Sequence, residues 1–345
     1  MLRFTPAVCR TAAAVAAALA LAACADTGGV TNVLAPTDPA LARSPELNTR
    51  HLFHTKDFYV SNAARPGGGG GTGISYHGGS VLQSGTKVVA IYWGSSTYPV
   101  GYSSLPAGSG AGTSDGTLIG TFLRSLSSVT DVNNKNYYNI NHTYWGPGGS
   151  STTNLIVPTV TYTGFWNTNG DASAPAPTAS PTDAQMIALV NAGISAGRIA
   201  YDKSTVYAIF TGTGVNLGGG FGSQYCAYHT HGTNAAGTFF YAAMPYNQQY
   251  VSGCTAQKAS PNADAAANSE VNTLAHEIEE TTTDDMGNAW YDSRGYENAD
   301  KCAWTWGTTA TASNGGVYNQ KYNGTYFLVQ QNWVNAGSGG CATGY

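Results

Sequence analysis

Lys87-Val88-Val89-Ala90-Ile91-Tyr92-Trp93 is an apolar run of strand length, and it reads as a buried β-strand. Thr205-Val206-Tyr207-Ala208-Ile209-Phe210 reads the same way and is broken off by Gly212 and Gly214. Two helical stretches lie between them. Thr117–Val129 carries Leu118, Phe122 and Leu126 on one stripe behind a cap at Ser114-Asp115. Thr182 caps the second, which sets Met186, Ile187 and Val190 on one face and closes near Gly197. Leu155–Thr163 and Thr238–Met244 read as further strands, Asn262–Thr283 as a long helix, and Tyr326–Gln331 as a last strand in a loop-rich tail. Strand–helix alternation of this kind points to the α/β class, here a mixed sheet backed by helices.

A chain of 345 residues is long enough to bury a full core without metals or disulfides holding every part of it. Only 10% of residues are charged, and Gly, Tyr, Thr, Ser and Asn replace them, which suits a rigid extracellular domain. The formal charge is −4 and no Lys/Arg cluster exists, so a phosphate-tracking basic face is absent and nucleic-acid binding is not expected. Outside the N-terminus no apolar run reaches the length of a membrane span.

Residues 1–23 read as an export signal, with Arg3 and Arg10 ahead of an Ala/Leu/Val-rich core. The end of that stretch, Leu21-Ala22-Ala23-Cys24, resembles a bacterial lipobox, in which Cys24 would be the lipidated first residue of the mature chain. Residues 24–72 read as a flexible tether that ends in Arg65-Pro66 and the run Gly67–Gly71, with the globular domain spanning 73–345. Cys226, Cys254, Cys302 and Cys341 remain in the domain. Three pairings are open to four cysteines, and the sequence-local one, Cys226–Cys254 with Cys302–Cys341, is the first choice. No CxxC or CxxH spacing suggests a thiolate zinc site.

The segment that carries chemistry is Leu274-Ala275-His276-Glu277-Ile278-Glu279-Glu280-Thr281-Thr282-Thr283-Asp284-Asp285. At 100° per residue, Ala267, Val271, Leu274 and Ile278 share a core face, while His276, Glu277, Glu280 and Asp284 fall opposite. A solvated helix face normally mixes Lys with Glu. Here Ala259–Asp292 holds eight Asp and Glu and no Lys or Arg, and Glu297 and Asp300 follow close behind. Carboxylates at that density, with a His among them, call for a cation. The HExxE spacing sets His276 and Glu280 one turn apart, the two-ligand grip of HExxH zinc enzymes with Glu for the second His. Glu277 then sits beside the metal as general base. Glu297 is the expected third ligand, with Asp292 and Asp284 as alternatives. Calcium is the other ion considered, for Asp284, Asp285 and Asp292, since oxygen-only clusters favour it.

His229 and His231, in Tyr228-His229-Thr230-His231-Gly232, are candidates for metal binding or for polarising a substrate carbonyl; the competing reading is a pair of exposed loop histidines. His77 reads as structural. Gly112-Thr113-Ser114-Asp115-Gly116 matches GxSxG, but no strand leads into it, so it reads as a turn and helix cap rather than a nucleophile elbow.

The order His77-Gly78-Gly79, Val88–Trp93, Ile119–Leu126, Val206–Phe210, Cys226 with His231-Gly232, and Cys254 resembles the phosphate-induced (exordium) family over most of residues 75–345. Plant members of that family are secreted cell-wall proteins linked to growth responses. His276–Asp285, followed by Trp290-Tyr291-Asp292, Gly295, Glu297 and Asp300-Lys301-Cys302, is similar to a microbial branch with a zincin-like HExxE pattern that the plant sequences lack. The resemblance implies a zincin-like mixed sheet with the His276 helix lining a cleft. The function expected is a zinc-dependent hydrolase, a peptidase, exported and either anchored to the cell envelope or secreted. The alternative is a non-catalytic extracellular or cell-wall interaction protein on the same scaffold. The expected partner is an extracellular peptide or cell-envelope component, with membrane contact only through the anchor and a monomeric chain.

Overall fold

The computed structural model describes residues 50–63, 73–100, 105, 108–110, 115–246, 251–256, 258–262 and 265–345. The export signal, Cys24, most of the tether and Ser114 lie outside the described residues. Seven strands form one sheet: β1 His51–His54, β2 Thr86–Trp93, β3 Ser109–Gly110, β4 Val160–Asn167, β5 Thr205–Thr211, β6 Tyr225–Asn234 and β7 Gly237–Met244. Their spatial order is β1-β6-β7-β5-β2-β4-β3. Strands β7, β5, β2 and β4 run parallel, and β6, β1 and β3 pair antiparallel to their neighbours, so the sheet is mixed as expected. Four helices of two turns or more accompany it among the described residues: α1 Lys56–Ala63, α2 Leu118–Ser125, α3 Asp183–Ser195 and α4 Ala265–Thr283.

The apolar runs of the central strands follow from their position. Val88, Ala90, Tyr92, Val206, Ala208 and Phe210 face α2 and α4 on one side of the sheet. Val89, Ile91, Trp93, Tyr207 and Ile209 face Met186, Leu189 and Val190 of α3 on the other. A strand covered on both faces has no polar face to alternate with. Thr182 caps α3, as the sequence suggests, and the structure shows the cap to be a reciprocal box with Gln185. For α2 the cap is Thr117, whose own N–H and hydroxyl are held by Asp115.

Several boundaries move for local reasons. Leu155–Thr163 is not one strand, because Pro158 lacks the N–H that a ladder needs; Thr153–Leu155 ends before it and β4 starts at Val160. The last expected strand shortens to Thr325–Phe327. Tyr225–Asn234, whose histidines the sequence left open between a strand edge and a loop, is a full strand. It turns into β7 through Ala235-Ala236, with Asn234 Oδ1 accepting the N–H groups of Ala236 and Gly237.

The larger correction concerns the tether. Residues 50–63 belong to the domain: β1 pairs with β6 in the register His51↔His229, and Phe53 is buried against Trp304 and His276. His-Leu-Phe-His is too short for periodicity to separate it from coil; its partner strand supplies the hydrogen bonds that define it.

Helix α4 crosses the sheet on Val271, Leu274 and Ile278, which pack against small strand residues such as Ala227 and Ala242. Its opposite face is covered by the loop-rich tail, including Phe327 and Val329, so Ala266 to Thr283 is buried on all sides. The helix therefore does not line an open cleft, and its acidic face is not a solvated surface. Thr281, Thr282 and Thr283 satisfy their buried hydroxyls by donating to the carbonyls of Glu277, Ile278 and Glu279. The disulfides Cys226–Cys254 and Cys302–Cys341 tie β6 to the segment before α4 and the loop after it to the C-terminal ribbon.

Candidate metal centre

Four pieces of chain meet at one end of α4. The helix contributes His276, Glu277 and Glu280; β6 contributes His229; β1 contributes His51; the loop pinned by Cys302 contributes Glu297 and Asp300. His276 Nε2 lies 3.0 Å from Glu280 Oε1 and 3.8 Å from Asp300 Oδ1. His229 Nδ1 lies 3.1 Å from Glu277 Oε2 and 3.8 Å from Glu280 Oε2, and its Nε2 lies 3.9 Å from Glu297 Oε1. His51 Nδ1 is 2.7 Å from Glu297 Oε2, and the His51 and His229 rings stack at 4.7 Å as their strand register dictates. The tyrosine hydroxyl of Tyr59, from α1, donates to Asp300 Oδ1, and the Asp300 N–H donates to Glu280 Oε1 at 3.0 Å.

These contacts leave polar atoms unsatisfied where water does not reach. Both ring nitrogens of His276, His229 Nε2, Glu277 Oε1 and Glu297 Oε1 are buried without a hydrogen bond. His276 Nε2 and Glu280 Oε1 approach to 3.0 Å, yet His276 Nε2 makes no hydrogen bond. A buried polar atom without a partner costs about 1–3 kcal/mol, so this many in one place marks a site built around something else. Among the described residues, the ion-pair partners of these four carboxylates are all histidines. The nearby Lys301 is committed to Asp292.

Protonation reflects that imbalance. Burial, then repulsion among the carboxylates, pushes Glu277, Glu280 and Glu297 well above the usual carboxylate range. The same causes push Asp300 up to about 8. Burial pulls His276 and His51 down to about 4 and His229 well below its ordinary value. Neutral imidazoles are the form that binds metal, and a divalent cation would ionise the carboxyl groups at once. Three groupings place three ligand atoms within 4.8 Å of one another: His51–His229–Glu297, His229–Glu277–Glu280 and His276–Glu280–Asp300. Nitrogen and oxygen donors in threes suit zinc.

Of the expected ligands, His276 and Glu280 share a grouping with Asp300, whereas Glu297 groups with His51 and His229 and not with His276 and Glu280. Asp284 joins no grouping: it accepts the backbone N–H groups of Asn288, Ala289 and Trp290 and turns the chain after α4. Asp292 is likewise spent on the N–H groups of Arg294 and Tyr296 and on Lys301. With Asp285 bound to Ser80, the three aspartates do not converge, and every ligand grouping among the described residues contains histidine, so the calcium expectation has no support. His229 is a buried strand residue and not a loop histidine, while His231 belongs to none of the ligand groupings. His77 stacks on Tyr291 at 3.7 Å. His51 and Tyr59 escape the sequence reading because they sit in the stretch taken for a tether. Asp300 is visible in the sequence only as part of the acidic patch.

The model of the phosphate-induced protein 1 conserved region matches residues 74–336. The chain belongs to the phosphate-induced protein 1 family. No curated protein and no solved structure matches it. The family region contains β2 to β7, α4, His229 and the loop bearing Glu297 and Asp300, whereas β1 with His51 and α1 with Tyr59 precede it.

Proposed function

We propose that this family member is an exported zinc-dependent hydrolase of zincin-like design acting on peptides. The observation that carries the reading is the grouping His276–Glu280–Asp300 with the unpartnered Glu277 Oε1 beside it. His276, Glu280 and Asp300 would hold the ion, and Asp300 takes the place the sequence reading gave to Glu297. A zinc ion there supplies Lewis-acid polarisation and lowers the pKa of water. Glu277 Oε2 receives the His229 Nδ1–H, which fixes the carboxylate and leaves Oε1 to take a proton from the attacking water and pass it to the leaving amine. His51, about a quarter exposed, and Asp300 are where the centre meets the surface. Strand β1 ends the sheet at that point, and a terminal strand can take an extended peptide through main-chain hydrogen bonds. Export is supported by the two disulfides, which persist in oxidising compartments; anchoring at Cys24 would be tested by Cys24→Ser, which should release the protein from membranes.

The burial of His276 and Glu277, both with no exposed surface, favours a second reading in which the metal only holds the tail on α4. Two variants separate the readings. In a hydrolase, Glu280→Gln loses zinc and turnover together, while Glu277→Gln keeps zinc and loses a factor of about 10² or more in peptide hydrolysis. Zinc-loaded wild type without hydrolysis of any peptide in a mixed library would overturn the catalytic reading and leave the metal-holding one.

A further inference from the structure

Two of the ligand groupings share no residue. His276–Glu280–Asp300 and His51–His229–Glu297 are complete three-ligand sets, and Glu277, next to His276 on the helix, contacts His229 of the second. We propose that the protein binds a second divalent ion of the zinc class at His51–His229–Glu297, so that its centre is dinuclear.

Three observations carry this, and it rests on the metal reading above. The first is geometric. His229 Nε2 and Glu297 Oε1 face each other at 3.9 Å, each buried and without a hydrogen bond. Ligands about 2.1 Å from a tetrahedral ion are separated by about 3.4 Å. The gap is too long for a hydrogen bond and close to the span of an ion. The second is the state of His229. Its Nδ1 is engaged by Glu277 Oε2 at 3.1 Å, which leaves Nε2, the ring nitrogen 3.9 Å from Glu297 Oε1, as the one open to an ion once Glu277 is ionised and accepts the Nδ1 proton. A carboxylate holding the far nitrogen of an imidazole is how metal-ligating histidines are oriented. The same arrangement leaves His229 unavailable to the first ion through Nδ1, so the two sets do not compete for it.

The third is the number of donors. Glu277, Glu280, Glu297 and Asp300 bring four carboxyl groups into one buried space, and among the described residues their ion-pair partners are all histidines. Three histidines and four carboxyl groups are more donors than the roughly four positions of a single zinc ion. The second set also depends on His51, which lies outside the matched family region.

The test is elemental analysis of the full chain, stripped with chelator, refilled with zinc and desalted. Wild type should hold about two zinc ions per chain. His51→Ala and Glu297→Gln should each hold one, and His276→Ala should lose the other, with near-ultraviolet circular dichroism confirming the fold. Wild type with one zinc that survives His51→Ala and disappears in His276→Ala would overturn the second site and leave the first standing. One zinc lost in both variants would show a single ion drawing on both sets and also overturn the proposal. Wild type with no zinc would remove the metal reading itself. Should His51→Ala fail to fold, the wild-type stoichiometry and a cobalt titration decide: two saturable steps in the visible spectrum support the proposal, and one step overturns it.

Discussion

Stripping the metal should invert the way this protein's stability depends on pH. In the metal-free fold Asp300 keeps its proton up to about 8 and Glu277, Glu280 and Glu297 keep theirs beyond the usual range, whereas in the unfolded chain all four ionise near 4. The folded state then binds more protons than the unfolded one, so stability falls as pH rises. The buried histidines act with the opposite sign. His276 and His51 are lowered to about 4 in the fold, so they destabilise it where the unfolded histidine is charged, and this effect fades about one unit above 6.5. The diagnostic window is therefore about pH 7.5 to 8.5, where the histidines are neutral in both states. Each carboxyl still protonated in the fold contributes a loss of about 1.4 kcal/mol per pH unit. For a domain of this size that corresponds to a fall in Tm of roughly 2–3 °C per unit for each group. With zinc restored the ligands are ionised in the fold, metal binding strengthens as protons leave, and the decline should vanish or reverse. Thermal melts of chelated and zinc-loaded protein across that window provide the assay. A metal-free Tm that is flat or rises between pH 7.5 and 8.5 would refute the reasoning that these carboxylates are buried without a cation.

Three packing predictions follow from other parts of the fold. Gly193→Ala would normally strengthen a helix, but at this position of α3 a Cβ would meet the Trp166 ring at 2.6 Å; we expect a loss of about 1–3 kcal/mol in urea unfolding rather than a gain. Thr182→Ala removes the hydroxyl that accepts the Gln185 N–H, while the residue 182 N–H can still donate to Gln185 Oε1; it should cost about 1 kcal/mol by the same measurement, with zinc content unchanged. Replacing Cys302 and Cys341 together by Ala should cost about 2–4 kcal/mol and weaken zinc binding, because the bridge pins the loop that carries Glu297 and Asp300; unchanged affinity in a competitive chelator titration would show that the loop is held by its other contacts.

The sequence by itself determined the features that repeat along the chain. The runs Lys87–Trp93 and Thr205–Phe210 announce covered strands because both faces are apolar, and Thr182 announces a helix start because the cap is local chemistry. His276, Glu277 and Glu280 were legible for the same reason: a helix converts their spacing directly into proximity. Tertiary structure alone decided the rest. His51 and His229 are far apart in the chain and meet only through the register of β1 on β6, and no local pattern encodes a register between two strands. Asp300 and Glu297 reach the site because the chain turns back after α4, a turn fixed by Asp284 binding three backbone N–H groups. The burial of the acidic face was likewise beyond the sequence. Amphipathic spacing fixes which residues share a side of a helix, but whether that side meets water or a second layer of protein depends on where the tail is laid, and here it covers α4 completely.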